Sequence, residues 1–107
     1  MKRTLFILSA IALGASLPTH AKGNYEAGKA KSTACAACHG TDGVSTVPTF
    51  PKLAGQHQDY LYQVLKDYKA GKRKNPIMAG MVANLSDADM ADLAAYFSAQ
   101  KGLSVKY

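Results

Sequence analysis

The stretch that decides the fold is Ala34-Cys35-Ala36-Ala37-Cys38-His39-Gly40, residues 34–40. Cys35 and Cys38 are the only two cysteines of the chain, and His39 directly follows the second. A C-x-x-C-H spacing is typical of covalent attachment of a c-type haem. Both thiols can reach the two vinyl groups of one porphyrin from a single helical turn, and the next histidine then lies below the iron as its proximal ligand. The motif therefore predicts one covalent haem c, with Cys35 and Cys38 as the thioether residues and His39 as an iron ligand.

Three other interpretations of the cysteine pair are weaker. A redox disulfide of this spacing belongs in a thioredoxin-like βαβ unit, and no strand pattern lies nearby. A structural zinc ion takes four protein ligands, whereas beyond the motif only His57 and scattered aspartates remain. A structural disulfide across two residues closes a very small loop and stabilises the chain little. Haem attachment is the favoured interpretation.

The first 21 residues have the pattern of a secretory signal peptide. Lys2 and Arg3 make a positive start, residues 5–17 are an apolar run, and small residues lead up to Ala21. The alternative is a membrane anchor, but the apolar run is shorter than the roughly 20 residues that a spanning helix needs. We therefore expect cleavage after Ala21, a single domain over residues 22–107, a periplasmic location and no stable membrane insertion.

Composition adds limits on size and partners. The 107 residues carry a formal charge of +6, and loss of Lys2 and Arg3 leaves 11 basic and seven acidic residues, or +4. A domain of this size buries a modest core and often depends on a cofactor for stability. Export and the lack of interleaved aromatic residues argue against nucleic-acid binding. One basic run could steer an acidic partner towards the protein or could simply be a solvated face: Lys66, Lys69, Lys72, Arg73 and Lys74.

Periodicity predicts an all-α fold with three main helices, over residues 24–38, 58–70 and 86–100. The first has Asn24 as its N-cap and a glycine, Gly28, which either lets another helix cross closely or is merely tolerated. The second carries an apolar stripe at helical spacing and ends at Gly71. The third starts with a capping box at Ser86, and its apolar stripe places Met90 in the core, with Leu93, Ala94 and Phe97.

The segments between these helices, residues 40–55 and 71–85, are expected to be loops. A proximal histidine normally donates its second ring N–H to a backbone carbonyl, and the carbonyl of Pro48 is the candidate acceptor. Met78 and Met81 lie in the second loop, where either thioether could be the sixth iron ligand or could fill a gap in the core.

Three blocks of sequence, taken in order, resemble those of class I c-type cytochromes of the small soluble bacterial kind with one haem. The chain is also similar to one half of the two-haem bacterial cytochromes of the c-four type. The blocks are AACHG at 36–40, VPTFPKLAGQ at 47–56 and MAGMVANLSDADMADLAAYF at 78–97. Unlike the two-haem proteins, this chain has a single C-x-x-C-H pentapeptide, which implies one haem.

The resemblance implies the cytochrome c fold, in which three main helices and their loops surround one haem. It supports Cys35, Cys38 and His39 in the roles above and Pro48 as the residue whose carbonyl accepts from His39. In the family the ligand methionine lies eight residues before the serine that opens the last helix. This implies Met78, with Met81 and His57 as rival ligands.

The resemblance implies electron transport and no enzymatic activity. The expected function is that of a monomeric, periplasmic carrier of one electron on a His/Met-ligated haem c, which meets redox partners with acidic docking surfaces. The alternative is a haem c subunit permanently bound to a dehydrogenase or oxidase. Haem catalysis or ligand sensing would need an open sixth position, which a Met78 ligand argues against.

Overall fold

The computed structural model describes residues 23–102, and the predicted signal peptide at 1–21 lies outside the described residues. Within residues 23–102 the chain forms five helices and no strand. They are α1 Tyr25–Lys31, α2 Thr33–His39, α3 Gln58–Ala70, α4 Pro76–Val82 and α5 Asp87–Ser98. The all-α prediction is confirmed. None of these helices has the length and apolar character needed to cross a membrane.

The predicted first helix is divided into α1 and α2 at Ser32. Asn24 caps α1 as expected, because its side chain accepts a hydrogen bond from the N–H of Ala27. At Ser32 the hydroxyl donates to the carbonyl of Lys29 over 2.7 Å, a local side-chain bond of the kind that competes with regular helix. Because of this break, Cys35, Cys38 and His39 lie on a separate short helix, α2.

The second and third predicted helices are present, as α3 and α5. Gly71 ends α3 in the left-handed region, with φ +74°, where glycine has no steric penalty. Ser86 and Asp89 form the predicted capping box at the start of α5, and the helix ends at Ser98 rather than at residue 100. The bounds of α3 are as predicted, and the end of α5 differs by two residues, because caps and glycines mark helix ends in the sequence itself.

The prediction of an irregular segment over residues 71–85 is wrong for its middle part. Helix α4 occupies Pro76–Val82, and the side chain of Asn75 caps it by accepting from the N–H groups of Ile77 and Met78. Proline is well suited to the first turn of a helix because it lacks only an N–H that would have no helical partner. The Asn-Pro pair, which follows the end of α3 at Gly71, is therefore the start signal of α4.

Helix α5 is the central element and packs against both α1 and α3. Gly28 allows the close crossing of α1, since a Cβ built there would lie 2.0 Å from the carbonyl oxygen of Asp92. The first of the two interpretations of Gly28 is thus confirmed. Met90 is 4% exposed, which confirms its place in the core. The main cluster of buried side chains is Leu61, Leu93, Ala94, Tyr96 and Phe97.

Candidate functional site

Four helices, α2 to α5, and the segments that connect them border one large cavity with a volume of about 560 Å³. This volume lies in the range of roughly 300–1,000 Å³ found for ligand and cofactor sites. Most of the surrounding side chains are apolar, and polar groups are few. The apolar lining includes Leu53, Leu61, Val64, Leu65, Val82, Leu85, Leu93, Ala94 and Phe97. The cavity is therefore suited to a large, flat, mainly apolar molecule.

Helix α2 brings the predicted attachment residues to this cavity. Cys35, Cys38 and His39 all line it. Both cysteines are half-buried thiols that form no disulfide. Burial raises the pKa of the Cys35 thiol, and the nearby Cys38 adds to this effect. Because the neutral form is favoured, Cys35 is a thiol rather than a thiolate at neutral pH.

The imidazole of His39 is held in one orientation. The residue is only 6% exposed, and its Nδ1 lies 2.8 Å from the carbonyl oxygen of Pro51. With the proton on Nδ1, the ring donates to that carbonyl and leaves Nε2 as a neutral nitrogen able to ligate a metal. This is the arrangement that orients a histidine ligand and strengthens its donor nitrogen.

The prediction that Pro48 supplies this carbonyl is wrong, because Pro51 does so. The N–H of Phe50 donates to the carbonyl of Val47 over 3.0 Å, so the chain turns at Pro48. Both prolines are exposed, but only Pro51 lines the cavity. Two prolines three residues apart fit the same sequence pattern, and only the turn between them decides which carbonyl faces the histidine.

Helix α4 brings both candidate methionines to the cavity. Met78 and Met81 line it, as expected for residues three apart on one helical face. Met78 is half-buried, and its N–H is bonded to the capping side chain of Asn75. Met81 is 42% exposed. The third candidate ligand, His57, is not among the residues that line the cavity.

The donor set fits a covalent haem better than it fits a bare metal ion. In residues 23–102 no group of three or more His, Cys, Asp and Glu side chains lies close enough to hold a metal ion. The zinc interpretation therefore has no support in this part of the chain. Two thiols and an imidazole on one short helix, with thioethers on another, border a mainly apolar cavity. These residues would hold a haem through its vinyl groups and its iron.

Sequence reasoning missed a polar pair at this cavity. Arg73 and Tyr60 both line it, and the Arg73 guanidinium donates to the Tyr60 hydroxyl over 3.4 Å. The guanidinium also lies 5.2 Å from the ring centre of Tyr68. The sequence does show Arg73 as a basic residue shortly after the end of α3. Whether its side chain reaches the cavity, however, depends on the left-handed turn at Gly71.

The basic run is exposed along the end of α3 and the segment that follows it. In the part of the chain that the structure describes, the ion pairs are those of Lys31 with Asp89 and Asp92. None of the five cations of the run forms an ion pair with a carboxylate in this part of the chain. Lys69 instead donates to the carbonyl of Leu85, which connects α3 to the segment between α4 and α5. The run therefore leaves a positive surface beside the cavity.

Comparison with known proteins agrees with this site. The sequence model of the family described as "Cytochrome c" matches residues 25–101. Cytochrome c4 of Pseudomonas aeruginosa is 50% identical over 97 residues, which are 91% of this chain and 48% of that protein. Cytochrome c-554(548) of Halomonas halodenitrificans is 45% identical over 82 residues, 74% of this chain and 99% of that protein.

A solved structure is similar as well. The crystal structure of reduced recombinant cytochrome c4 from Pseudomonas stutzeri superposes with a TM-score of 0.72 at 52% identity, over 79% of this chain and 49% of that one. The chain thus spans about half the length of the cytochrome c4 relatives that it matches. Sequence and structure identify the same family.

Proposed function

The chain belongs to the cytochrome c family of haem c electron-transfer proteins, and on that premise we propose that it is a periplasmic carrier of one electron with His39 and Met78 as axial ligands. One observation carries the proposal. Cys35, Cys38, His39 and Met78 line one apolar cavity, and His39 has its Nδ1 turned away to Pro51. The haem supplies an iron that alternates between the ferrous and ferric states.

The side chains around the cavity have separate tasks. Cys35 and Cys38 hold the cofactor, which keeps it from dissociating. Pro51 orients His39 and strengthens its donor nitrogen. A Met78 thioether bound to the haem iron would favour the reduced form and raise the potential. With His39 and Met78 both bound to it, the iron would have no open position for an exogenous ligand, which suits a carrier better than an enzyme.

We assign the basic run as the docking surface for acidic redox partners. Its five cations are exposed, one of them, Arg73, lines the cavity, and within residues 23–102 none of them forms an ion pair with a carboxylate. A surface of this kind accelerates association with an oppositely charged protein, and salt weakens the effect. The protein acts as a monomer that meets its partners transiently, after export to the periplasm and removal of residues 1–21.

The test of ligation is the absorption spectrum of the purified holoprotein in both redox states. A c-type reduced spectrum, together with the weak far-red ferric band of an iron–thioether bond, is expected. Met78→Ala should abolish the far-red band, whereas Met81→Ala, a matched change on the same face of α4, should keep it. Loss of the band in Met81→Ala alone would assign the ligand to Met81. Binding of carbon monoxide by the reduced wild type would point to catalysis or sensing.

The test of docking is the rate of electron transfer to an acidic redox protein at low salt. The double variant Lys72→Glu with Lys74→Glu should be at least tenfold slower, and the difference should fade at high salt. Lys29→Glu with Lys101→Glu changes the net charge equally outside the basic run and should have a smaller effect. Equal slowing by both pairs would mean that only net charge matters. Copurification of the chain with a dehydrogenase or oxidase at high salt would favour a permanently bound subunit.

A further inference from the structure

We propose that Phe50 is a positioning residue for His39, and that its ring is the barrier that keeps water from the hydrogen bond between His39 and Pro51. The proposal rests on the role of His39 as an axial ligand. It concerns the far side of the imidazole, away from the attachment residues. Phe50 is half-buried and lies one residue before the carbonyl that His39 contacts.

The first observation is a direct contact between the two rings. The ring centres of Phe50 and His39 are 6.4 Å apart, and the planes are inclined by 61° in an edge arrangement. Aromatic pairs with centres about 4.5–7 Å apart attract each other in this geometry. Two consecutive residues therefore hold the same imidazole, one by its Nδ1–H and one by its ring. Together they restrict both tilting and rotation of the ring.

The second observation is a shallower cavity of about 290 Å³ on the outer side of the same segment. It is bordered by Ser45, Thr46, Val47, Pro48, Phe50, Pro51 and Lys52. Phe50, Pro51 and Lys52 also line the large inner cavity. Because Val47 and Pro48 are exposed, the outer cavity opens to solvent. The shared residues are thus the wall between solvent and the inner cavity.

The wall is held firmly by backbone hydrogen bonds on both of its sides. Before it, the N–H of Phe50 donates to the carbonyl of Val47 over 3.0 Å. After it, the N–H groups of Leu53 and Ala54 donate to the carbonyl of Gly43 over 2.9 and 3.2 Å. These hydrogen bonds hold the backbone at Phe50 in place. Truncation of that side chain should open a path through the wall rather than let the loop collapse.

The consequence concerns the strength of the His39 hydrogen bond. A hydrogen bond shielded from water is stronger than one exposed to it, and this bond orients the ligand and sets its donor strength. Water that enters from the outer cavity would compete for Nδ1–H and for the Pro51 carbonyl. Phe50 therefore protects the electronic properties of the iron ligand without touching the iron.

The experiment measures exchange of the His39 Nδ1 proton with solvent, by NMR of the holoprotein. Phe50→Ala should accelerate exchange at least tenfold. Phe50→Tyr keeps the ring and should stay within threefold of the wild type. Val47→Ala, a control on the same turn that does not line the inner cavity, should also stay within threefold. Electron paramagnetic resonance of the ferric protein should show altered g-values, which report ring orientation, in Phe50→Ala alone.

Unchanged exchange in Phe50→Ala would overturn the proposal, as would equal acceleration in Val47→Ala, which would indicate general loosening of the loop. If Phe50→Ala does not fold or load haem, Phe50→Leu preserves apolar volume without the ring. Acceleration below threefold in that variant would then count against the role of the ring. The far-red band of the wild type tests the methionine ligand separately, whereas proton exchange is read on His39 itself, so failure of the proposed His/Met ligation and failure of this inference can be told apart.

Discussion

The close crossing of α1 and α5 gives a sharp test of the packing, through the single substitution Gly28→Ala. A Cβ at this position would lie 2.0 Å from the carbonyl oxygen of Asp92 and 2.9 Å from the Cβ of Tyr96. Side-chain Cβ atoms do not approach other atoms closer than about 3 Å, so the helices must move apart by roughly 1 Å. The obstacle is backbone, which cannot rotate out of the way as a side chain can.

The magnitude follows from two opposing effects. Overpacking a buried contact costs about 1–3 kcal/mol, and a backbone clash belongs at the upper end of that range. Alanine in place of glycine stabilises the interior of a helix by about 0.5–1 kcal/mol. The net loss in the free energy of unfolding should therefore be about 2 kcal/mol. For a domain of this size that lowers Tm by roughly 8–16 °C.

The assay is thermal unfolding of the holoprotein, followed by far-ultraviolet circular dichroism. Gly80→Ala is the matched control, because Gly80 lies within α4 and a Cβ there would meet nothing within 4 Å. That variant should keep or slightly raise Tm. A Gly28→Ala protein with the Tm of the wild type, or a higher one, would refute the reasoning, since only the helix-propensity gain would then remain.

Three further outcomes are expected. Ser86→Ala removes the capping box of α5 and should lower the free energy of unfolding by about 1 kcal/mol in chemical denaturation, while Ser98→Ala near the end of that helix should have little effect. Asn75→Ala removes the cap beside Met78. If this eases local opening by about 1 kcal/mol, exogenous imidazole should bind the ferric iron roughly fivefold faster in stopped-flow absorption; an unchanged rate would show that α4 does not limit access. Hydrogen bonds from Lys31, the largest cause, and from Ser86 lower the pKa of Asp89 to about 2 in the folded protein, so this carboxylate stabilises the fold above pH 4, and the contribution is lost as pH falls towards 2. The difference in Tm between wild type and Lys31→Met should therefore shrink over that range, and a constant difference would exclude the ion pair as its source.

The sequence by itself determined the helices that have strong local signals, and it predicted the residues that would hold the cofactor. The C-x-x-C-H motif, the apolar stripes of α3 and α5, and the capping box at Ser86 all act over a few residues. Local patterns of this kind are visible in the chain because their energies come from neighbours in sequence. Even the start of α4 has a local signal in the sequence, namely Asn75 followed by Pro76.

Only the tertiary structure decided which distant groups meet. The choice of Pro51 over Pro48 depends on a turn at Val47 to Phe50, after which the carbonyl of Pro51 is the one that meets His39. The meeting of Arg73 with Tyr60 and of Phe50 with His39 likewise depends on how separate segments pack around one cavity. Such contacts cannot be read from the periodicity of the sequence. Each one depends on how several loops and helices are oriented in space rather than on the spacing of residues along the chain.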